Sequence, residues 1–355
     1  MTFRRFSRNL STEMRVLHLH LINFRNFAER SFSFSKTLQV ITGPNGSGKT
    51  NLLEAVGYLS LAKSFRRVPD EALIRWGTRH FLVEGEVEDE HGVRHRVKLR
   101  YHEGRKEAFV DGKRVRTLRS LFALVPVVYA DLMDNGVIRG DTEQRRDFFD
   151  DLLGLLDPGY ARELAAYRRA LRQKNAALKT PGVPVAQWNR QMEHHGQYLV
   201  RQRREWIQRL NQQLQNGKRH LLPVEPVRVE YEPSVTLREG LLDLFESEER
   251  ERGVALYGPH RDRFHLLYRS HPLEEAASHG ERWLIYYTLL LSFRDLLARR
   301  WGRRPVLLLD EPFHVLDPAF ARRLASGLEG QVIATAVASP GLGEELSLWK
   351  NSVTA

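Results

Sequence analysis

Cysteine is absent from all 355 residues, and there are only 4 methionines. That excludes disulfide frameworks, thiolate metal sites and cysteine nucleophiles, and it suits a reducing, cytoplasmic compartment. Long apolar runs are missing as well. The longest, residues 283–293, is interrupted by Thr288 and Ser292 and followed by Arg294 and Asp295. It falls well short of the ~20 residues a bilayer span requires, so no membrane partner is expected. Residues 1–13 hold Arg4, Arg5 and Arg8 but no apolar core. They are expected to be a disordered extension or the product of an upstream start, not a signal peptide. The 14 histidines show no metal-ligand spacing, and the adjacent pair His194 and His195 reads as exposed. No internal repeat or low-complexity tract is found.

What is present is basic. Lys and Arg outnumber Asp and Glu by 55 to 44, a formal charge of +11, and 42% of residues are apolar. The length fits two domains, or one large domain with an insertion, and such a chain buries a core without staples. The positive surplus points to a polyanionic partner.

Alternation over residues 16–22 predicts a strand. Residues 38–42 form a second strand, short and buried, which runs directly into the string GPNGSGKT. Residues 51–61 then read as a helix with Leu52, Leu53, Val56 and Leu59 on its apolar side. From 81 to 115 the pattern alternates between turn pairs at His91 and Gly92, Glu103 and Gly104, and Asp111 and Gly112, which predicts an antiparallel β subdomain. Residues 124–129 add a strand. A helix over 141–157 starts at Asp141 or Thr142. Tyr160, Leu164, Tyr167 and Leu171 make a seam, residues 180–184 break it, and a second helix carries Trp188, Met192, Leu199, Trp206 and Leu210 inward. Two such helices pack antiparallel, so residues 158–216 are expected to form a short helical arm. Buried strands return at 306–310 and 331–335.

Gly43, Pro44, Asn45, Gly46, Ser47, Gly48, Lys49 and Thr50 satisfy G-x-x-x-x-G-K-[ST] at every fixed position. Glycines let backbone N–H groups curl around phosphates, and the helix beginning at Asn51 directs its positive end at the anion. Lys49 offers a point charge to the β and γ phosphates, and Thr50 a hydroxyl to Mg²⁺. The buried strand at 306–310 ends in Asp310, suited to the Mg²⁺ shell. Glu311 follows, placed to orient or deprotonate an attacking water. Ser278, His279, Gly280, Glu281 and Arg282 open an apolar helix ahead of that strand. A serine hydroxyl and a glycine N–H there can receive an anion.

In this order the three pieces resemble the ABC-type ATPase heads of the SMC, Rad50 and RecF group. RecF proteins are matched further by Asn23 to Phe27 (NFRNF), Asn51 to Ala55 (NLLEA), Ser64, Phe65 and Arg66, Gly140, Arg145 to Asp150 (RRDFFD) and Gly258 to Asp262 (GPHRD). The resemblance covers residues 14–335. Three positions depart from the pattern: His279 and Glu281, where RecF proteins usually carry glutamines, and Thr335, which stands nearest the usual switch histidine. No glutamine occurs between Leu121 and Asp134 to serve as a lid.

The resemblance implies an α/β fold: a mixed P-loop sheet with an antiparallel β subdomain, residues 14–130 and 253–355, and an inserted helical lobe at 131–252. It implies that ATP and Mg²⁺ are bound between two copies of the chain. Arg25 and Asn26 would lie near the nucleotide, and Ser278, Gly280 and Asp317 would face the second copy. It implies slow, DNA-stimulated ATP turnover as a release switch, duplex and gapped DNA as ligands, and cooperation with RecR and RecO to load RecA.

The charge distribution agrees. Residues 158–220 hold 13 Lys and Arg against 3 Asp and Glu, a net +10. Arg168, Arg169, Arg172, Lys174, Arg201, Arg203 and Arg204 are the candidates for phosphate contact without base specificity. The competing expectation is the ATPase module of a transporter or protein-remodelling complex, its helical lobe docking protein.

Overall fold

A computed structural model describes residues 14–89, 91–115, 119–131, 136–216, 226–313 and 318–348. Asp317 and the 1–13 extension lie outside the described residues. The chain divides into two compact units, Met1–Asp134 with Leu297–Ala355, and Asn135–Leu296.

The first unit opens with β1 (Arg15–Phe24), β2 (Phe27–Ser33), β3 (Leu38–Thr42) and α1 (Lys49–Leu61). Next come β4 (His80–Glu88), β5 (Arg94–His102), β6 (Arg105–Val110), β7 (Lys113–Arg114), α2 (Arg119–Leu124) and β8 (Val127–Asp131). The second unit contains α3 (Gly136–Arg139), α4 (Thr142–Leu156), α5 (Pro158–Leu178), α6 (Ala186–Asn216), β9 (Val227–Glu232) and α7 (Glu246–Arg252). It continues through β10 (Arg263–Tyr268), β11 (His271–Pro272) and α8 (Leu273–Ala276). Helix α9 (His279–Trp301) leads back to the first unit, which finishes with β12 (Val306–Asp310), α10 (Pro318–Gly327), β13 (Val332–Ala336) and β14 (Glu344–Ser347).

The first unit has two sheets. One is antiparallel, in the order β2-β1-β4-β5-β6-β7; the other is parallel, β14-β3-β13-β12-β8. At the β5–β6 and β6–β7 turns both central residues have positive φ, Glu103 and Gly104 at 47° and 76°, Asp111 and Gly112 at 50° and 77°. That twist matches paired strands. Helix α1 is buried nearly all round, as a helix between two sheets must be. Its Leu52, Leu53, Val56 and Leu59 share one core with Leu19, Phe81 and Val83 of the antiparallel sheet and Ile41, Leu308 and Ile333 of the parallel one. Gly85 makes the approach possible, because a Cβ there would lie 2.3 Å from Leu59 Cδ1. Burying each of these leucines contributes about 1.5–3 kcal/mol.

In the second unit, Asp141 caps α4 with a reciprocal pair of bonds to Gln144. Asp157 caps α5, with Pro158 in the first turn where its missing N–H costs nothing. Helices α5 and α6 pack together, tied by Asp157 to Tyr198 (2.7 Å) and Glu163 to His195 (2.7 Å). Asn211 of α6 donates to and accepts from Val229 of β9 (2.8 and 2.9 Å), completing an edge of the β11-β10-β9 sheet.

Two expectations shift. Leu124 ends a helix, and the strand expected at 124–129 runs over Val127–Asp131 instead. The later boundary between units lies at Leu296–Leu297, not at 253. The physical reason is that β10 pairs with β9, and Phe293 packs against Phe148 and Phe149 of α4.

Candidate functional site

Strand β3 ends at Thr42, and the loop that follows is shaped by its glycines. Gly46 and Gly48 have φ of 81° and 101°. At Gly48 a Cβ would also sit 2.6 Å from the Asn26 amide, so no other residue fits. Pro44, Asn45 and Gly46 are exposed, whereas Gly43 is buried with its N–H on the Ala336 carbonyl (3.3 Å). Lys49 is 5% exposed and curls back into the loop. Its Nζ donates to the carbonyls of Gly43 (2.9 Å) and Pro44 (3.2 Å) and lies 3.3 Å from Glu311 Oε1. The Ser47 hydroxyl is buried with no hydrogen-bond partner among the described residues.

The parallel sheet brings the acidic strand alongside. Thr50 Oγ1 donates to Asp310 Oδ2 (2.8 Å), and Thr335 Oγ1 donates to Asp310 Oδ1 (2.6 Å). The Glu311 N–H donates to the same Thr335 oxygen (2.8 Å), and Glu311 is held at φ 50°. That left-handed conformation is strained for a residue with a Cβ. One threonine on β13 therefore orients the carboxylate and also fixes the backbone that carries the glutamate. The sequence marks Thr335 only as standing nearest the usual switch histidine and does not assign it this bridging role. The available signal was a hydroxyl in the otherwise apolar VIATA strand.

Asn26 and Asn51 brace the loop. Asn26 Nδ2 donates to the Ser47 carbonyl (3.3 Å), and Asn51 Nδ2 donates to Asn26 Oδ1 (2.9 Å). Arg25 is committed elsewhere. Its Nε and Nη2 make a fork on the fully buried Glu54 of α1 (2.8 and 3.0 Å), and its Nη1 donates to the Ala72 carbonyl (2.9 Å). Ser64 donates to the same Glu54 (2.5 Å). Arg25 thus anchors α1 to the preceding strand pair.

A cationic lysine, a helix N-terminus, an unsatisfied hydroxyl and a threonine–aspartate pair form a donor set that fits a Mg²⁺-bound triphosphate.

Ser278 caps α9. Its N–H donates to Glu281 Oε2 (2.8 Å), and the Glu281 N–H donates to Ser278 Oγ (3.3 Å). The Ser278 amide, with the hydroxyls of Ser278 and Tyr268, holds the Glu281 carboxyl below its usual range. Glu281, a departure from the family pattern, therefore serves as half of a capping box. Ser278, His279 and Gly280 are exposed, and a Cβ at Gly280 would meet nothing.

The arm cations separate into two groups, which corrects two assignments. Arg203 is 1% exposed and Lys174 is 0% exposed, so neither can touch a phosphate. Arg203 donates to Tyr160 Oη (2.9 Å), Asp150 (2.8 Å), Asp262 (2.7 Å) and the Pro259 carbonyl (2.8 Å). Lys174 lies 2.6 Å from the buried Glu249. Arg168 pairs with Asp147 (2.7 Å) while 45% exposed. Arg169, Arg172, Arg201 and Arg204 are exposed and form no ion pair among the described residues. Arg204 also lines a groove with Gln208, Gln212, Gln215 and Arg228.

The family description RecF/RecN/SMC N terminal domain matches residues 15–340. The DNA replication and repair protein RecF of Moorella thermoacetica is 33% identical over 325 residues, covering 88% of this chain and 86% of its own. The chain belongs to the RecF family. The RecF protein of Streptomyces avermitilis is likewise 33% identical, over 88% of this chain and 90% of its own. A solved structure of the recombination mediator protein RecF-ATPrS in the RecFOR pathway has a TM-score of 0.86 at 22% identity, covering 94% of this chain and 95% of that one. A Pyrococcus furiosus Smc head with an extended coiled coil, bound to a domain of ScpA, has a TM-score of 0.51 at 17% identity. The α/β head fold that the resemblance implies is the fold of these RecF and Smc heads. Among the described residues, no helix is long and apolar enough to cross a membrane.

Proposed function

We propose that this chain is an ATP-dependent DNA-binding protein of recombinational repair, acting in the cytoplasm. Two copies meet head to head. Each phosphate loop holds one ATP, and Ser278 and Gly280 of the other copy close over its γ-phosphate. Residues 43–51 cradle the phosphates, and Lys49 exchanges its loop carbonyls for phosphate oxygens. Thr50 and Asp310 hold Mg²⁺, which supplies neutralising charge to those oxygens. Thr335 keeps Asp310 and the Glu311 backbone in place. Glu311 takes the proton of the attacking water, and slow, DNA-stimulated hydrolysis to ADP and phosphate releases the dimer. The closed dimer grips duplex DNA beside single-strand gaps through Arg169, Arg172, Arg201 and Arg204. With RecR and RecO it promotes loading of RecA.

The observation that carries this reading is the convergence of Lys49, Thr50, Asp310, Glu311 and Thr335 at the end of one parallel sheet. RecF-family membership sets the transporter reading aside. The test is retention of duplex DNA against rising salt, with and without ATP. Affinity should fall log-linearly with salt and rise with ATP, and Lys49→Met should remove only the ATP response. Salt-insensitive binding, or binding indifferent to ATP, would contradict the proposal.

A further inference from the structure

Among the described residues, the first unit displays one large aromatic side chain that its core does not use. Trp76 is 98% exposed. An indole in water adds nothing to folding, and its flat apolar face is the kind of surface that partners take up. The chain around it is well anchored. Thr78 N and Oγ1 both donate to the Arg75 carbonyl (3.1 and 2.8 Å), and the Arg75 N–H donates to the Asn23 carbonyl (2.9 Å). Ile74 bridges to Phe24, and Gly77 at φ 82° supplies the left-handed step of a type II turn. The ring is thus presented from a fixed base.

The charge beside it is of one sign. Arg75 and Arg79 bracket the turn, and neither has an ion pair among the described residues. The turn feeds directly into β4. His80, the first residue of β4, is paired with His102 at the end of β5, and His102 with Arg105 at the start of β6. The same end of the sheet therefore carries His80, His102 and the exposed Arg105. Of the carboxylates near that end, Asp70 is engaged with Lys106 (2.6 Å) and Tyr58 (2.9 Å) and Glu71 with Tyr101, while Glu103 stays exposed.

A flat apolar ring flanked by guanidinium groups matches a nucleobase on a phosphate chain. Bases within a duplex hide their faces in the stack, so the ring can meet a face only where a base is unstacked. We infer that the Trp76 turn is a stacking contact for an unpaired DNA base, and that it supplies direct recognition of single strand next to duplex. The inference rests on the DNA-binding reading above.

Three probes separate the two: a gapped duplex, a blunt duplex of equal length and an oligothymidine. Trp76→Ala should weaken the gapped duplex and the oligothymidine roughly tenfold, with blunt-duplex affinity unchanged and Trp76→Phe close to wild type. Oligothymidine should quench wild-type tryptophan fluorescence, and that quenching should vanish in Trp76→Phe. Equal gap affinity in Trp76→Ala would overturn the inference while leaving duplex binding intact. So would an equal loss on all three probes, or a loss of ATP-driven self-association measured without DNA. A wild-type protein that ignores every probe would instead overturn the DNA-binding reading itself.

Discussion

Two clusters in this molecule each set a buried cation against carboxylate and carbonyl oxygens, and they behave differently. Around Arg203, one guanidinium is fully matched by Asp150, Asp262, a tyrosine hydroxyl and a backbone carbonyl, all buried. Tyr231 and the Ser234 N–H also bond Asp262, so the acid's second oxygen is used too. Around Lys49, the ammonium rests on its own loop and on a 27%-exposed Glu311 held in a strained conformation. The first cluster is saturated, and its partners are other parts of the fold. The second is built from contacts that a ligand can replace. A charged residue's type does not tell structure from function. What decides is whether its partners could be exchanged for a ligand.

The comparison can be broken at either end. Arg203→Ala should leave Asp150 and Asp262 buried and unpaired, costing about 3–5 kcal/mol in a urea unfolding curve. A loss within ~1 kcal/mol would show that the cluster is not saturated. Glu311→Gln should slow ATP hydrolysis at least ~10²-fold, about 3 kcal/mol of barrier, while thermal stability stays within ~1 kcal/mol. If the variant hydrolyses ATP at the wild-type rate, Glu311 is not the base.

His260 belongs to the saturated side. Its Nδ1 accepts from Tyr167 (2.7 Å), and its Nε2 donates to the Ala255 carbonyl (3.1 Å). Burial pushes its pKa down to about 4 from the ordinary 6.5. Because the unfolded chain takes up a proton first, stability is fully present above the unfolded pKa and is lost as pH falls from 6.5 through about 4. The loss should be on the order of 3 kcal/mol. His260→Asn should show a smaller loss between neutral pH and about pH 4.5, and an equal loss would assign the acid sensitivity elsewhere.

The smallest stability effect is expected at the exposed cations. Replacing Arg169, Arg172, Arg201 and Arg204 together with Ala should change stability by no more than ~0.5 kcal/mol. The same change should make the log–log salt slope of duplex binding shallower by about 3.6 per chain. An unchanged slope would remove the arm from the DNA contact.

How legible was this in the sequence? The phosphate loop was legible because its backbone geometry admits few residue types, and the buried strand ending in Asp310 because an acid there needs a reason. The arm was legible as two helices but not as to which cations were free. On α6, Leu199, Arg203, Trp206 and Leu210 fall at helical spacing, so the seam positions already implied that Arg203 points inward. The charge count obscured that, since a net +10 treats every arginine as exposed. Thr335 could not be placed without knowing that β13 lies beside β12, a long-range pairing that local pattern does not encode. The late boundary between units was hidden for the same reason. Strand β10 and Phe293 belong to the second unit because of what they pack against.

The central claim is that each nucleotide site is shared between two copies, and complementation tests it most directly. Lys49→Met and Ser278→Arg are each expected to stay monomeric in sedimentation with Mg-ATP. Mixed in equal amounts they should form dimers again, because the loop of one variant and the Ser278 of the other rebuild one complete site. If the mixture sediments as monomers while the wild type dimerises with ATP, the two halves act within one chain and the shared-site account is wrong.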